Sequence, residues 1–150
     1  MLGKVERDGA RLIAQGFAQR PGMDYNETFA PVAKMCIIRL LIAFAAARHY
    51  AFEQLDFDTA FLNGKMTEDV YIKFPTGYTG KVGQGDVLKL IAPMYEAQQA
   101  PWEWNRGVAK FMIDQGYTVS GSDTRLYYKN VQQSFVIVAL YVDDGLDCVG

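Results

Sequence analysis

Apolar positions along the chain change their spacing several times, and each change marks an element. From Met35 to His49, Ile37, Ile38, Leu41, Ile42 and Ala45 recur three or four residues apart after Pro31, which predicts a helix with Arg39 and Arg48 on its wetter side. Pro101 stands where a first helical turn tolerates it, and Trp104, Val108, Phe111 and Met112 then trace one apolar face up to Gly116, predicting a second helix. Elsewhere the pattern shortens. "RLIAQGF", "YAFEQLDF", "VYIKF" and "VLKLI" read as short strands, with the Pro21-Gly22 turn after the first and the loop "TGKVGQGD" between the last two. "RLYYK" and "SFVIVALYV" are joined by "NVQQ" as a hairpin, and a further apolar run, "LDCVG", follows Asp144-Gly145. Two helices and about six strands predict an α+β fold, with the helices packed on one face of an antiparallel sheet.

Composition narrows the class. A chain of 150 residues, half of them hydrophobic, is long enough for one core, and no repeat or linker divides it, so one domain over 1–150 is expected. The net charge of −2 counts against nucleic-acid binding by this segment alone, because phosphate contacts call for surplus Lys and Arg. "LLIAFAAA", Leu40 to Ala47, is far short of a membrane span, and "MLGKVERDGARL" does not read as a secretory signal. An intracellular protein without membrane contact is expected. Cys36 and Cys148 suit buried thiols better than a disulfide framework, and a structural zinc site would need more ligands.

Two acidic spots break this pattern. "DFDTAFLNG" begins at Asp56, at the end of an apolar strand, and "YVDDG" places Asp143 and Asp144 at a hairpin turn roughly eighty-five residues later. Asp-Asp-Gly is a favourable turn in its own right. If the two strand ends meet at one sheet edge, however, Asp56, Asp143 and Asp144 repel one another, and a divalent cation with hard oxygen ligands, Mg²⁺ above all, offsets that repulsion. Two such ions would serve phosphoryl transfer.

"ARLIAQGFAQRPGMDYNETFAPVAKMCIIRLLIAFAAA", "QLDFDTAFLNGKMTEDVYIKFPTGY", "QAPWEW" and "LYVDD" resemble, in order, successive blocks of the reverse transcriptase of copia-type long-terminal-repeat retrotransposons. The resemblance implies the fingers and palm of a right-handed polymerase, cut off after the YVDD hairpin, with the thumb and RNase H region absent. It also implies RNA-directed DNA polymerisation with Mg²⁺, or Mn²⁺, on an RNA or DNA template-primer and deoxynucleoside triphosphates. In the parent element such an enzyme works in cytoplasmic virus-like particles and the nucleus. Carried over position by position, Asp56, Asp143 and Asp144 are the metal-binding catalytic acids, and Phe57 lends a backbone carbonyl to the metal. Phe61 matches the residue that obstructs a ribose 2′-hydroxyl, with a plain core phenylalanine as the alternative reading, Gln99 lines the nucleotide pocket and Arg11 contacts the triphosphate. Asp58 matches no ligand position and reads as a solvated neighbour.

The chain departs from the family where Leu-Tyr-Gly-Leu-Lys-Gln-Ala-Pro-Arg-Ala-Trp is usual. "MYEAQQAPWEW" puts Glu96 for Gly, Gln98 for Lys and Trp102 for Arg, so basic residues are lost, and Glu96 and Glu103 are gained beside the expected nucleotide path. Glu96 strains the backbone if that Gly has positive φ. Trp102 could stack on bases, whereas Trp104 falls at core spacing. His49 reads as a solvated or helix-end residue. The isolated chain is therefore expected to be inactive. The alternatives are a non-catalytic remnant that acts as an interaction or structural module and self-associates through exposed surface, and a metal-dependent nuclease, for which no His or further acid is placed to ready a water.

Overall fold

The structure, a computed structural model, describes residues 11–150; most of "MLGKVERDGARL" lies outside the described residues. Among the described residues there are seven strands and two α-helices: α1 Met35–Arg48, β1 Ala51–Asp56, β2 Tyr71–Ile72, β3 Leu88–Lys89, α2 Ala100–Asp114, β4 Thr118–Val119, β5 Leu126–Val131, β6 Ser134–Tyr141 and β7 Asp144–Val149. Five strands form one antiparallel sheet in the order β1-β7-β6-β5-β4, and β2 pairs with β3 apart from it.

The helices do not share a face of that sheet. Trp104, Val108 and Met112 of α2 pack with Tyr127, Val138 and Leu140, whereas Leu41 and Ala45 of α1 pack with Ala139 and Cys148, beside Leu126 and Ile137. Neighbouring strand residues point to opposite faces, so α2 covers one side and α1 the other. The expectation of helices on one face is corrected, and the reason lies in "SFVIVAL". Apolar at nearly every position, it is the signature of a strand buried on both faces, not one. The coarser expectation, α+β with an antiparallel sheet, holds.

Both helices start and stop where the pattern placed them. His49 closes α1 in the left-handed conformation at φ 55, its N–H donating to the carbonyls of Ala45 and Ala46, and Gly116 at φ 83 follows α2. Within them, Phe111 and Ile42 are exposed, contrary to expectation, and the buried stripes are Trp104-Val108-Met112 and Leu41-Ala45. "RLIAQGF" is not a strand. Residues 11–15 are irregular, Gly16–Ala18 form a 3-10 turn, and the Ala14 N–H donates to the Tyr95 carbonyl at 2.9 Å. "VYIKF" and "VLKLI" shrink to the two-residue pair β2 and β3, and β4 was not anticipated. Cys148 is buried as expected; Cys36, in the first turn of α1, is exposed.

Candidate active site

Sheet register decides which acids meet. β1 and β7 run antiparallel with Asp56 opposite Asp144, and the hairpin from β6 to β7 pairs Tyr141 with the same Asp144. The turn is therefore Val142-Asp143, one residue earlier than the expected Asp-Asp turn, because Asp144 already belongs to the ladder. Beyond Asp56 the tie continues, as the Phe57 N–H donates to the Asp143 carbonyl at 3.0 Å. Asp56, Asp143 and Asp144 are thus gathered by backbone pairing at one end of the sheet, the first and last exposed and Asp143 half-buried. Asp58 lies outside the ladder, exposed, its carbonyl accepting from Asn63 Nδ2.

Two carboxylates directly opposite each other in a ladder destabilise it. In ligand type and backbone placement the three acids fit a hard divalent cation. Among the described residues, no group of three His, Cys, Asp or Glu side chains is gathered to hold a metal ion in the conformation present.

The turn itself is unusual. Val142 has φ 57, a left-handed conformation that costs a β-branched residue of order 1–2 kcal/mol. Beneath it lies Trp104, 8 % exposed, whose Nε1–H donates to the Val142 carbonyl at 2.7 Å. The same indole meets the Phe57 ring edge-on, centroids 5.3 Å apart. On the α2 face of β7, Gly145 is closely packed, since a Cβ there would stand 3.3 Å from both Leu140 and Leu55, which would have to give by a few tenths of an ångström.

The remaining expected residues form a second cluster. Phe61 sits half-buried in the 3-10 turn Ala60–Asn63, edge-on to Tyr95 at 5.2 Å, and the Arg11 guanidinium lies 4.3 Å from the centre of the Tyr95 ring. Tyr95 thereby joins two residues that the sequence singled out separately. The Phe57 carbonyl accepts the Ala60 N–H at 3.1 Å. Gln99 is 2 % exposed, accepting from Gln19 Nε2 at 3.0 Å and donating to the Asp24 carbonyl, so it fastens the 16–24 segment to the start of α2. A cavity of about 200 Å³ adjoins it, lined by Asn26, Glu27, Thr67, Glu68, Trp102 and Glu103, and by none of the three aspartates.

The departures in "MYEAQQAPWEW" find places here. Glu96 has φ 64, and a Cβ on Gly16 would run into its carbonyl oxygen. Gln98 donates from Nε2 to the Gly16 carbonyl and from its N–H to Gln19 Oε1. Glu103 is not an acid on an open path. It is 2 % exposed, bound by the N–H and hydroxyl of Thr67 and paired with Arg106 at 3.0 Å. The Arg106 guanidinium also stacks over Trp102. Sequence reasoning missed Tyr95 and the polar half of Trp104. For the second a signal existed, since a buried indole N–H needs an acceptor.

The family profile described as reverse transcriptase (RNA-dependent DNA polymerase) matches residues 2–148. The chain is 40 % identical over 144 residues to the Retrovirus-related Pol polyprotein from transposon RE1 of Arabidopsis thaliana, covering 96 % of this chain and 10 % of that protein. To the corresponding polyprotein of transposon TNT 1-94 from Nicotiana tabacum it is 40 % identical, covering 95 % of this chain and 11 % of that protein. The chain thus spans about a tenth of the length of these relatives. No solved structure matches it. Matched over nearly its whole length, with the acid-bearing strand ends paired as described, the chain belongs to the reverse transcriptase family of copia-type retrotransposon Pol polyproteins.

Proposed function

We propose that this chain is the part of an RNA-directed DNA polymerase, fingers and palm, that carries the nucleotidyl-transfer acids, and that Asp56, Asp143 and Asp144 hold two divalent ions, Mg²⁺ or Mn²⁺. The observation that supports this most directly is the ladder register that sets Asp56 against Asp144 with Asp143 in the adjoining turn. Backbone pairing supplies the frame, and side-chain rotamers close it. Ions held there would supply Lewis acidity for a primer 3′-hydroxyl and positive charge for the leaving pyrophosphate. The chain's own residues do the placing. Asp56 and Asp144 approach from neighbouring strands, Asp143 from the turn, and Phe57 anchors that turn through its N–H. Phe61, braced by Tyr95, faces the sugar, and Arg11 on the same ring serves the triphosphate. Template-primer and deoxynucleotide are the proposed partners of the whole protein.

Metal titration calorimetry tests the site. Mn²⁺ should give binding heat with the native chain and little with Asp143→Asn; identical heats would remove the three acids from this account. Extension of a primed template by the isolated chain should match that of its Asp143→Ala, Asp144→Ala variant, because a net charge of −2 leaves no surplus of Lys and Arg to hold a duplex. Robust incorporation lost in the double variant would show that this chain needs no further grip.

A second reading, a non-catalytic module that associates with copies of itself, draws support from Phe17, Phe29 and Ile91, which are 85 %, 77 % and 89 % exposed.

A further inference from the structure

We infer that Trp104 is a positioning residue for the acidic turn: its indole N–H holds the Val142 carbonyl while its ring carries Phe57, so one side chain from α2 couples both chain segments that bring the aspartates together. The inference rests on the reading of that end of the sheet as the active site, and it assigns the residue that sets the site's geometry.

Three observations converge on it. The bond from Nε1 to the Val142 carbonyl is short, 2.7 Å, and made by a buried donor, so losing it leaves an indole N–H without water or partner. Val142, a β-branched residue at φ 57, stays in an unfavourable region only where surrounding contacts over-determine it. Among the described residues, the Trp104 bond is the contact that grips its carbonyl. The third is the Phe57 N–H bond to the Asp143 carbonyl, which links the residue after Asp56 to the residue after Val142, with the indole packed edge-on against the Phe57 ring. The turn is therefore held from two sides, through its backbone by Phe57 and from below by Trp104. A tryptophan needed only to fill the core would be replaceable by phenylalanine at this spot without consequence for the turn.

Hydrogen exchange on the metal-free chain tests this apart from any activity. In the native protein the Trp104 indole N–H should exchange slowly and together with the Phe57 amide. An indole exchanging as fast as that of half-buried Trp102 would overturn the inference, and this measurement needs no variant. In Trp104→Phe, which keeps a ring against Phe57, the Phe57 amide should exchange about tenfold faster while the β5–β6 amides remain unchanged; an unchanged Phe57 amide would sink the proposal. Combining it with Val142→Gly, which removes the need to restrain that φ, should return the Phe57 amide to within about twofold of native. Mn²⁺ titration separates the two levels. Equal binding by the native chain and Asp143→Asn defeats the active-site reading and leaves the exchange result standing. Binding lost in Asp143→Asn yet undiminished in folded Trp104→Phe defeats the positioning role.

Discussion

Glu96 occupies a left-handed backbone position, φ 64, with its side chain exposed. An exposed side chain gains little burial to offset the conformation, and the backbone is closely packed there, since a Cβ on Gly16 would run into the Glu96 carbonyl oxygen. Glu96→Gly should therefore stabilise the fold by about 1 kcal/mol, seen as a thermal midpoint about 2–4 °C higher. Glu96→Ala keeps the offending Cβ and should not help; equal gains from both would place the strain elsewhere. The two thiols separate in the same residue-by-residue way. Cys148 is fully buried, and burial pushes its thiol up, away from the reactive thiolate, whereas Cys36 is open to solvent. A thiol reagent near neutral pH should titrate one group in the folded chain and the second only in denaturant. Two fast groups would contradict the packing of β7 against α1.

At the scale of elements, legibility followed chemistry that is local. Pro101, Gly116 and the spacing of Trp104, Val108 and Met112 mark α2 within a residue or two, because capping and helical period act over a few positions. Phe111 was misplaced since it borders that stripe, and only the tilt of the helix on the sheet decides which flank is wet. Met112→Ala should cost about 2–5 kcal/mol and Phe111→Ala less than half as much, a contrast that urea unfolding measures directly. Strand pairing was harder to read. "RLIAQGF" has the composition of a strand but finds no neighbouring strand, and "VYIKF" pairs for two residues. The three aspartates were legible because an acid at an apolar strand end is conspicuous. What brings them into register, Phe57 to Asp143 and Trp104 to Val142, depends on contacts 86 and 38 positions apart, which no local pattern reveals.

Across the whole molecule, large apolar side chains remain uncovered on several elements. Phe17, Phe29 and Ile91 are almost bare, and Met35, Leu40 and Ile42 line the outer side of α1. The chain should bind a surface-sensitive dye and sediment faster as concentration rises; a monomer across the range with no dye signal would exclude the self-associating reading. The sheet order has another consequence. Among the described residues β1 pairs with β7 alone, the last strand to be synthesised of the five, so the segment ending at Asp56 lacks that partner until Asp144 follows it. At ~5–20 residues per second, a ribosome leaves that strand waiting on the order of 4–18 s, while closing so long a loop costs entropy before any contact rewards it. β5, β6 and β7 are local to one another and can zip as a meander, with β1 arriving as the final edge. The acid cluster is therefore the last part of the sheet to exist: a nascent or prematurely ended chain carries its first aspartate on an orphan strand, prone to pair with whatever other edge it meets.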